Sequence, residues 1–330
     1  MAAVPDAEPL ARRPFGGTGL LVTPICIGCA PLGDMPDTFA YRVPEEQALA
    51  TLRATFGNPG ATNFIDTAAS YGDGESERRI GLALRELGGV PGGYVLATKA
   101  DRNLGTGDFS GPQMRRSVER SLRLLGVDRL QLVYLHDPEH STFEAITAPG
   151  GALETLVRLK EEGLIEHLGV AGGPIDMSIR YVETGAFEAV ITHNRYTLVN
   201  RTAEPLLAMA SARGLAVVNA APYGSGILAK GPEAYPRYAY RDAPPELVER
   251  VRAIDALCRR YDVPLAAVAL QFSARDPRIV STIVGMTRPE RVEQTAALAR
   301  LPIPDALWAE LDVVALPADD RRDPEEGRWG

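Results

Sequence analysis

A single (β/α)8 barrel followed by a C-terminal helix and tail is the fold that this 330-residue chain predicts. Three observations lead there. Apolar runs of strand length alternate eight times with segments of helical periodicity. No composition break or low-complexity linker divides the chain, so residues 1–330 read as one domain, with a core at about 15–301 and an extension at 302–330. Polar side chains stand where strands give way to loops, the face on which sheets of parallel strands carry chemistry.

The elements follow in order. A strand at 22–28 (VTPICIG) precedes a helix at 44–56, opened by Pro44-Glu45-Glu46. A strand at 63–66 leads to a helix at 76–86, where Glu77, Ile80, Leu82, Ala83 and Leu84 form an amphipathic pattern. Strands at 94–98, 130–135, 167–170, 189–192, 216–219 and 279–284 then alternate with helices at 111–125, 151–162, 175–184, 202–213, 245–274 and 289–299. The competing architecture, an open doubly wound sheet, requires a Gly-rich phosphate turn after the first strand. Gly28-Cys29-Ala30-Pro31-Leu32-Gly33 lacks that fingerprint, and Gly16-Gly17-x-Gly19 precedes the strand, as a turn. Two elements exceed the minimal barrel: a Gly-, Pro- and Tyr-rich connection at 222–242, and a helix at 304–315 followed by a charged tail. Long connections at the carboxyl face usually touch ligands.

A net charge of −8 and a pI near 5.2 exclude nucleic acid as a principal partner. The first 17 residues lack the apolar core of a signal peptide, and no stretch approaches the ~18 uninterrupted apolar residues of a membrane span. The expectation is a soluble cytoplasmic protein, with monomer and homo-oligomer both open. Three cysteines are too few for a disulfide framework or a Cys-only metal site, and no metal is expected. Cys26 and Cys29 have C-x-x-C spacing, but a redox dithiol normally opens a helix, whereas Cys29 is followed by Ala30-Pro31. They read as small buried residues ending a strand.

Asp66 and Tyr71 follow the second strand, Lys99 ends the third and His136 ends the fourth, so a barrel brings these four titratable residues together. Separately they read as a cap, a packed ring, a solvated lysine and a loop histidine. Together they make a proton-transfer site. Tyrosine near pKa 10 is a poor base, a neighbouring ammonium favours its phenolate, and the carboxylate keeps that ammonium charged. Such a group acts on a carbonyl/alcohol pair and needs a hydride carrier for redox chemistry.

The stretch NFIDTAASYGDGESERRIGLAL, Thr98-Lys99 and Leu135-His136-Asp137 resemble the signatures of the aldo-keto reductases, over about residues 15–301. That resemblance implies Tyr71 as proton donor or acceptor, supported by Asp66, Lys99 and His136, with a nicotinamide dinucleotide across the barrel mouth. It places cofactor contacts at Gly28, Ala171, Gly172, Asn194, Ala220, Pro222, Tyr223, Gly224, Ser225, Gly226, Val284, Gly285, Met286 and Arg291. Ala171-Gly172 stands where the family often has Ser-Asn, and Ala220 where it has a stacking tyrosine. Gly224, Ser225 and Gly226 offer backbone amides to a pyrophosphate. Gly285-Met286 replaces the Lys-Ser of NADP-preferring relatives, although Arg291 matches their arginine, so NAD is the expected cofactor and NADP the second option. GCAPLGD, LHDPE and NAAPYGSGIL look most like the sugar dehydrogenase branch (L-fucose, D-threo-aldose and L-galactose dehydrogenases, with pyridoxal 4-dehydrogenase as a neighbour). The implied partner is a small sugar or aldehyde, with Asp34, Asp137, His140 and Tyr223 as candidates to bind its hydroxyls. Two other readings remain: a general aldehyde or ketone reductase, and a non-catalytic nucleotide-sensing barrel subunit.

Overall fold

The computed structural model describes residues 8–314 and 323–325. Eight parallel strands close into a barrel in chain order: β1 (Ile25–Gly28), β2 (Phe64–Asp66), β3 (Val95–Ala100), β4 (Leu130–His136), β5 (Ile165–Ala171), β6 (Ala189–His193), β7 (Ala216–Ala220) and β8 (Ile279–Gly285), with β8 pairing back onto β1. Each strand reads as nearly continuous apolar sequence because both of its faces are buried. In β1, Cys26 points into the barrel while Ile25 and Ile27 face the helices; Phe64 and Ile65 divide the same way in β2, as do Tyr134 and Val133 in β4. Gly169 in β5 makes room for the Tyr134 ring, since a Cβ there would lie 2.4 Å from it.

Helices cover the outside of the barrel. The helix Gly111–Leu125 starts at Ser110, whose hydroxyl accepts from the Gln113 amide, and stops at Gly126, which takes the left-handed conformation at φ 70°. Its buried face carries Met114, Val118 and Leu125. A second apolar cluster lies between the two long helices after β7, the last helix (Asp305–Val314), and the connection at 222–242.

Two predicted elements divide. The strand expected at 22–28 breaks at Thr23-Pro24: Leu21–Val22 pairs instead with Arg13–Pro14 in a small hairpin, and only Ile25–Gly28 joins the barrel. The turn between them contains Gly16, whose Cβ would meet the Ala216 nitrogen at 2.9 Å, so the hairpin lies against the amino ends of the strands. Phe15, fully buried, plugs that end with its ring edge-on to Phe64 at 5.5 Å. The helix expected at 245–274 is two, Pro245–Arg260 and Leu265–Ala274, because Pro264 has no N–H to continue the first and Asp262 turns left-handed at φ 54°. The connection at 222–242 is folded: a 3-10 turn, a short helix (Ile227–Lys230) and a two-stranded hairpin (Arg237–Tyr238 with Arg241–Asp242). The C-terminal helix is present as expected; Ala315, 316–322 and 326–330 of the tail lie outside the described residues. Among the described residues, no helix is long and apolar enough to cross a membrane.

Candidate active site

The carboxyl ends of β2, β3 and β4 bring the four predicted residues together. Lys99 is 2% exposed, and its Nζ donates to Asp66 Oδ2 at 2.7 Å, to the Thr67 carbonyl at 2.8 Å and to Tyr71 Oη at 3.0 Å. All three ammonium N–H bonds therefore have acceptors. His136 lies edge-on to the Tyr71 ring, with centroids 5.7 Å apart. Tyr71 is held by a close backbone contact: a Cβ on Gly33 would sit 2.8 Å from the Tyr71 carbonyl, and one on Gly72 2.0 Å from the Gly33 oxygen. Only glycine fits either position.

Burial and charge compete at every member. The Lys99 ammonium is opposed by burial, yet Asp66 and Tyr71 raise its pKa above the ordinary value, so it stays charged. Burial pushes the Asp66 carboxyl up and Lys99 pulls it down. For Tyr71, burial outweighs the lysine and raises the phenol pKa, so Lys99 restrains a rise that would otherwise be larger. Burial thus favours the neutral phenol at Tyr71, and Lys99 works against it.

A fifth residue, missed in the sequence, completes the group. Asp101 Oδ1 lies 2.7 Å from His136 Nδ1, and Asp101 is 3% exposed. The other candidate hydroxyl ligands are scattered around it. Asp137 is left-handed at φ 42°, with Oδ1 3.5 Å from His136 Nε2. His140 is exposed at the end of a 3-10 turn. Asp34 is engaged elsewhere: its carboxylate accepts from the Val43 amide at 2.9 Å and pairs with Arg42, bracing its own loop. Cys26 and Cys29 are fully buried thiols whose pKa values burial raises, which leaves no reactive thiolate.

Residues 24–315 match the Aldo/keto reductase family. The chain belongs to that family. Among its relatives are D-threo-aldose 1-dehydrogenase of a Pseudomonas species, 31% identical over 93% of this chain and 97% of that one, and L-galactose dehydrogenase of Arabidopsis thaliana, 31% identical over 86% of each. Pyridoxal 4-dehydrogenase of Microbacterium luteolum is 29% identical over 91% of this chain and 96% of its own. In fold, the chain is similar to the holo form of aldo-keto reductase AKR11C1 from Bacillus halodurans, with a TM-score of 0.75 and 22% identity, over 95% of this chain and all of that one.

Aldo-keto reductases use nicotinamide nucleotides, and the mouth of this reductase tests whether its residues suit one. At the end of β6, Asn194 is buried; its Nδ2 donates to Glu325 Oε1 at 2.8 Å, while its Oδ1 is buried without a hydrogen-bond partner among the described residues. An amide held in one orientation with an unused acceptor suits the N–H of a carboxamide. Gly28 and Val284 pack in the wall, Ala171 and Gly172 offer no side-chain donor, Ala220 ends β7, and Pro222 lies in the loop after it. Tyr223 is half-buried, with a hydroxyl that has no partner among the described residues; burial pushes its pKa up to about 12 while Arg291 nearby lowers it.

At two of the expected cofactor contacts the geometry narrows what the residues can offer. The amides of Gly224 and Gly226 already donate to the Ala221 and Tyr223 carbonyls, so those two close a turn and are not set out as an anion nest; the Ser225 hydroxyl accepts from the Tyr240 amide. The Met286 side chain is 1% exposed in the core between barrel and helices, leaving only its backbone at the mouth.

The tail was illegible in sequence and reaches the same place. Arg195, fully buried beside Asn194, holds Asp323 with two bonds of 3.0 and 2.7 Å, and Glu325 lies 3.4 Å from His193 Nε2. Burial alone would raise the Glu325 carboxyl, but His193, Arg195 and Asn194 bring it down to about 2. A depressed carboxylate contributes stability above its unfolded value that is lost as pH falls through the folded one. Glu325→Gln is therefore expected to destabilise the reductase by on the order of 3 kcal/mol near neutrality, with the difference from wild type shrinking between about pH 4.5 and 2. Denaturant melts at pH 7 and pH 4 check it; equal differences at both would show that the carboxylate's charge contributes nothing.

Proposed function

We propose that this reductase is an NAD-dependent dehydrogenase that oxidises the anomeric carbon of an aldose to a lactone. The observation that carries the catalytic assignment is Lys99 Nζ bonded to both Asp66 and Tyr71 Oη. The bound nicotinamide supplies the acceptor for the hydride. Lys99 stabilises Tyr71 as phenolate, the phenolate takes the proton of the anomeric hydroxyl and becomes the phenol, and Asp66 holds Lys99 in place. His136 orients the substrate oxygen. Asn194, with Tyr223 and Arg291, holds the dinucleotide, and Asp137 and His140 bind sugar hydroxyls in this reading.

The substrate class is supported by the D-threo-aldose and L-galactose dehydrogenase relatives. The pyridoxal 4-dehydrogenase relative supports a second reading, oxidation of the aromatic aldehyde pyridoxal on the same site. A nucleotide sensor would need a contiguous apolar docking patch. The large exposed hydrophobics among the described residues, Leu21, Tyr41, Leu87, Leu104, Val313 and Val314, come from three elements and two loops well apart in sequence. A panel of aldoses and pyridoxal with NAD and NADP, followed by the absorbance of the reduced nucleotide, tests the reading; no turnover with any pair would overturn it.

Cofactor preference gives a sharper outcome. Gly285 has no side chain and that of Met286 is buried, so neither meets a 2′-phosphate. NAD is expected to give kcat/KM at least equal to that with NADP. A preference for NADP beyond tenfold, about 1.4 kcal/mol, would mean that Arg291 alone captures the phosphate.

A further inference from the structure

Asp101 is a buried carboxylate that the mechanism above does not use. It stands two residues beyond Lys99, just past the end of β3. Its backbone is anchored on the helix Gly111–Leu125: the Asp101 amide donates to Ser117 Oγ at 3.0 Å, and Gln113 Nε2 donates to the Asp101 carbonyl at 3.1 Å. Oδ2 accepts from the Ser70 amide at 2.8 Å. That fixes the carboxylate with Oδ1 directed at one group, His136 Nδ1, 2.7 Å away. Burying a carboxylate is costly unless it is paired, and His136 is the only group in ion-pair contact with it among the described residues.

We propose that Asp101 is the positioning residue of this site: it fixes His136 in the tautomer with hydrogen on Nδ1 and leaves Nε2 facing the substrate. The inference rests on the oxidoreductase reading for its consequence in turnover, not for its geometry. A carboxylate accepts only, so a hydrogen bond at 2.7 Å places the proton on Nδ1. Nε2 then accepts from a substrate hydroxyl when the ring is neutral and donates to a carbonyl oxygen when it is charged. Other charges face the ring as well. Asp137 lies beside Nε2, Lys99 sits on β3 next to it, and Asp66 and Tyr71 lie beyond Lys99. Burial opposes the charged ring, Asp101 and then Asp137 favour it, Lys99 opposes it, and the balance is upward. Near Asp101 itself stands Glu77, buried, with its carboxyl pushed up to about 7 by burial.

Nitrogen-detected NMR of the imidazoles reads this without any turnover. The chain has four histidines, and the His136→Asn variant identifies the His136 signal. In wild type, His136 is expected as the Nδ1–H tautomer with its titration midpoint above the ordinary histidine range. Asp101→Asn keeps the volume but must turn an N–H toward Nδ1 or give up the Ser70 amide. The expected result is a midpoint lower by about 1 pH unit or more, a shift to the Nε2–H tautomer, and a kcat/KM lower by roughly 10- to 100-fold whose His-dependent limb moves the same way. Asp101→Glu should restore part of both. A wild-type His136 in the Nε2–H tautomer would overturn the proposal, and so would a midpoint that Glu77→Gln moves as far as Asp101→Asn. Because the wild-type spectrum alone decides the tautomer, a variant that fails to fold leaves the test intact. An inactive wild type with the expected spectrum would count against the oxidoreductase reading only.

Discussion

Tyr71→Phe is expected to lower kcat by roughly 10²–10⁴ with little change in stability. The substitution removes one oxygen. Lys99 Nζ loses the 3.0 Å bond to Tyr71 Oη but keeps Asp66 Oδ2 and the Thr67 carbonyl, so no buried charge is stranded. The ring remains to pack edge-on against His136. Nucleotide affinity should hold, since the side chains assigned to the dinucleotide, Asn194, Tyr223 and Arg291, follow β6, β7 and β8 in the chain. The rate falls because Tyr71 is the one phenol hydrogen-bonded to Lys99 among the described residues. Single-turnover kinetics with the best aldose, alongside a thermal melt, would check it. Near-normal turnover in a folded Tyr71→Phe protein would transfer the proton to another group, with His136 first in line.

The barrel and the tetrad were legible because both rest on short-range patterns. Strand-length runs buried on both faces, and polar residues at their carboxyl ends, place Asp66, Lys99 and His136 without knowledge of any long-range contact. What escaped was set by packing between distant segments or by conformation. Asp101 reads as the first residue of a loop; the orientation of its carboxylate comes from the helix Gly111–Leu125 and the Ser70 amide. Glu325 and Asp323 lie some 130 residues from Asn194 and Arg195, and no local pattern announces that a charged tail will return to the mouth. The break at Pro264 was visible as a proline, but the apolar periodicity on either side masked it. Met286 was read by position in a motif, and position does not show that its side chain turns into the core.

The pairing of Lys99 with Asp66 also decides stability, which makes Lys99→Met the second large effect. Both side chains are nearly fully buried, and their 2.7 Å contact is the reason Asp66 can remain ionised there. Methionine preserves the length of the stem and removes the charge. Asp66 is then left in the barrel mouth with burial pushing its carboxyl up and nothing in contact pulling it down. Breaking a buried pair in this way costs about 3–5 kcal/mol. The sign of its pH dependence follows. A carboxyl whose folded pKa is raised is most favourable below its unfolded value and loses stability as pH rises toward the folded one, so the deficit against wild type should widen from about pH 4 toward neutrality. Activity should fall by about 10²–10³, and any residual rate should show its basic limb at higher pH, since the cation that favours phenolate has gone. Adding Asp66→Leu removes the stranded carboxylate and is expected to recover much of the stability but none of the rate. Denaturant melts of the two single variants and the double, with kcat measured on each, separate these terms. If the double variant were no more stable than Lys99→Met alone, the cost would lie in lost packing, and Asp66 would not depend on the lysine for its charge.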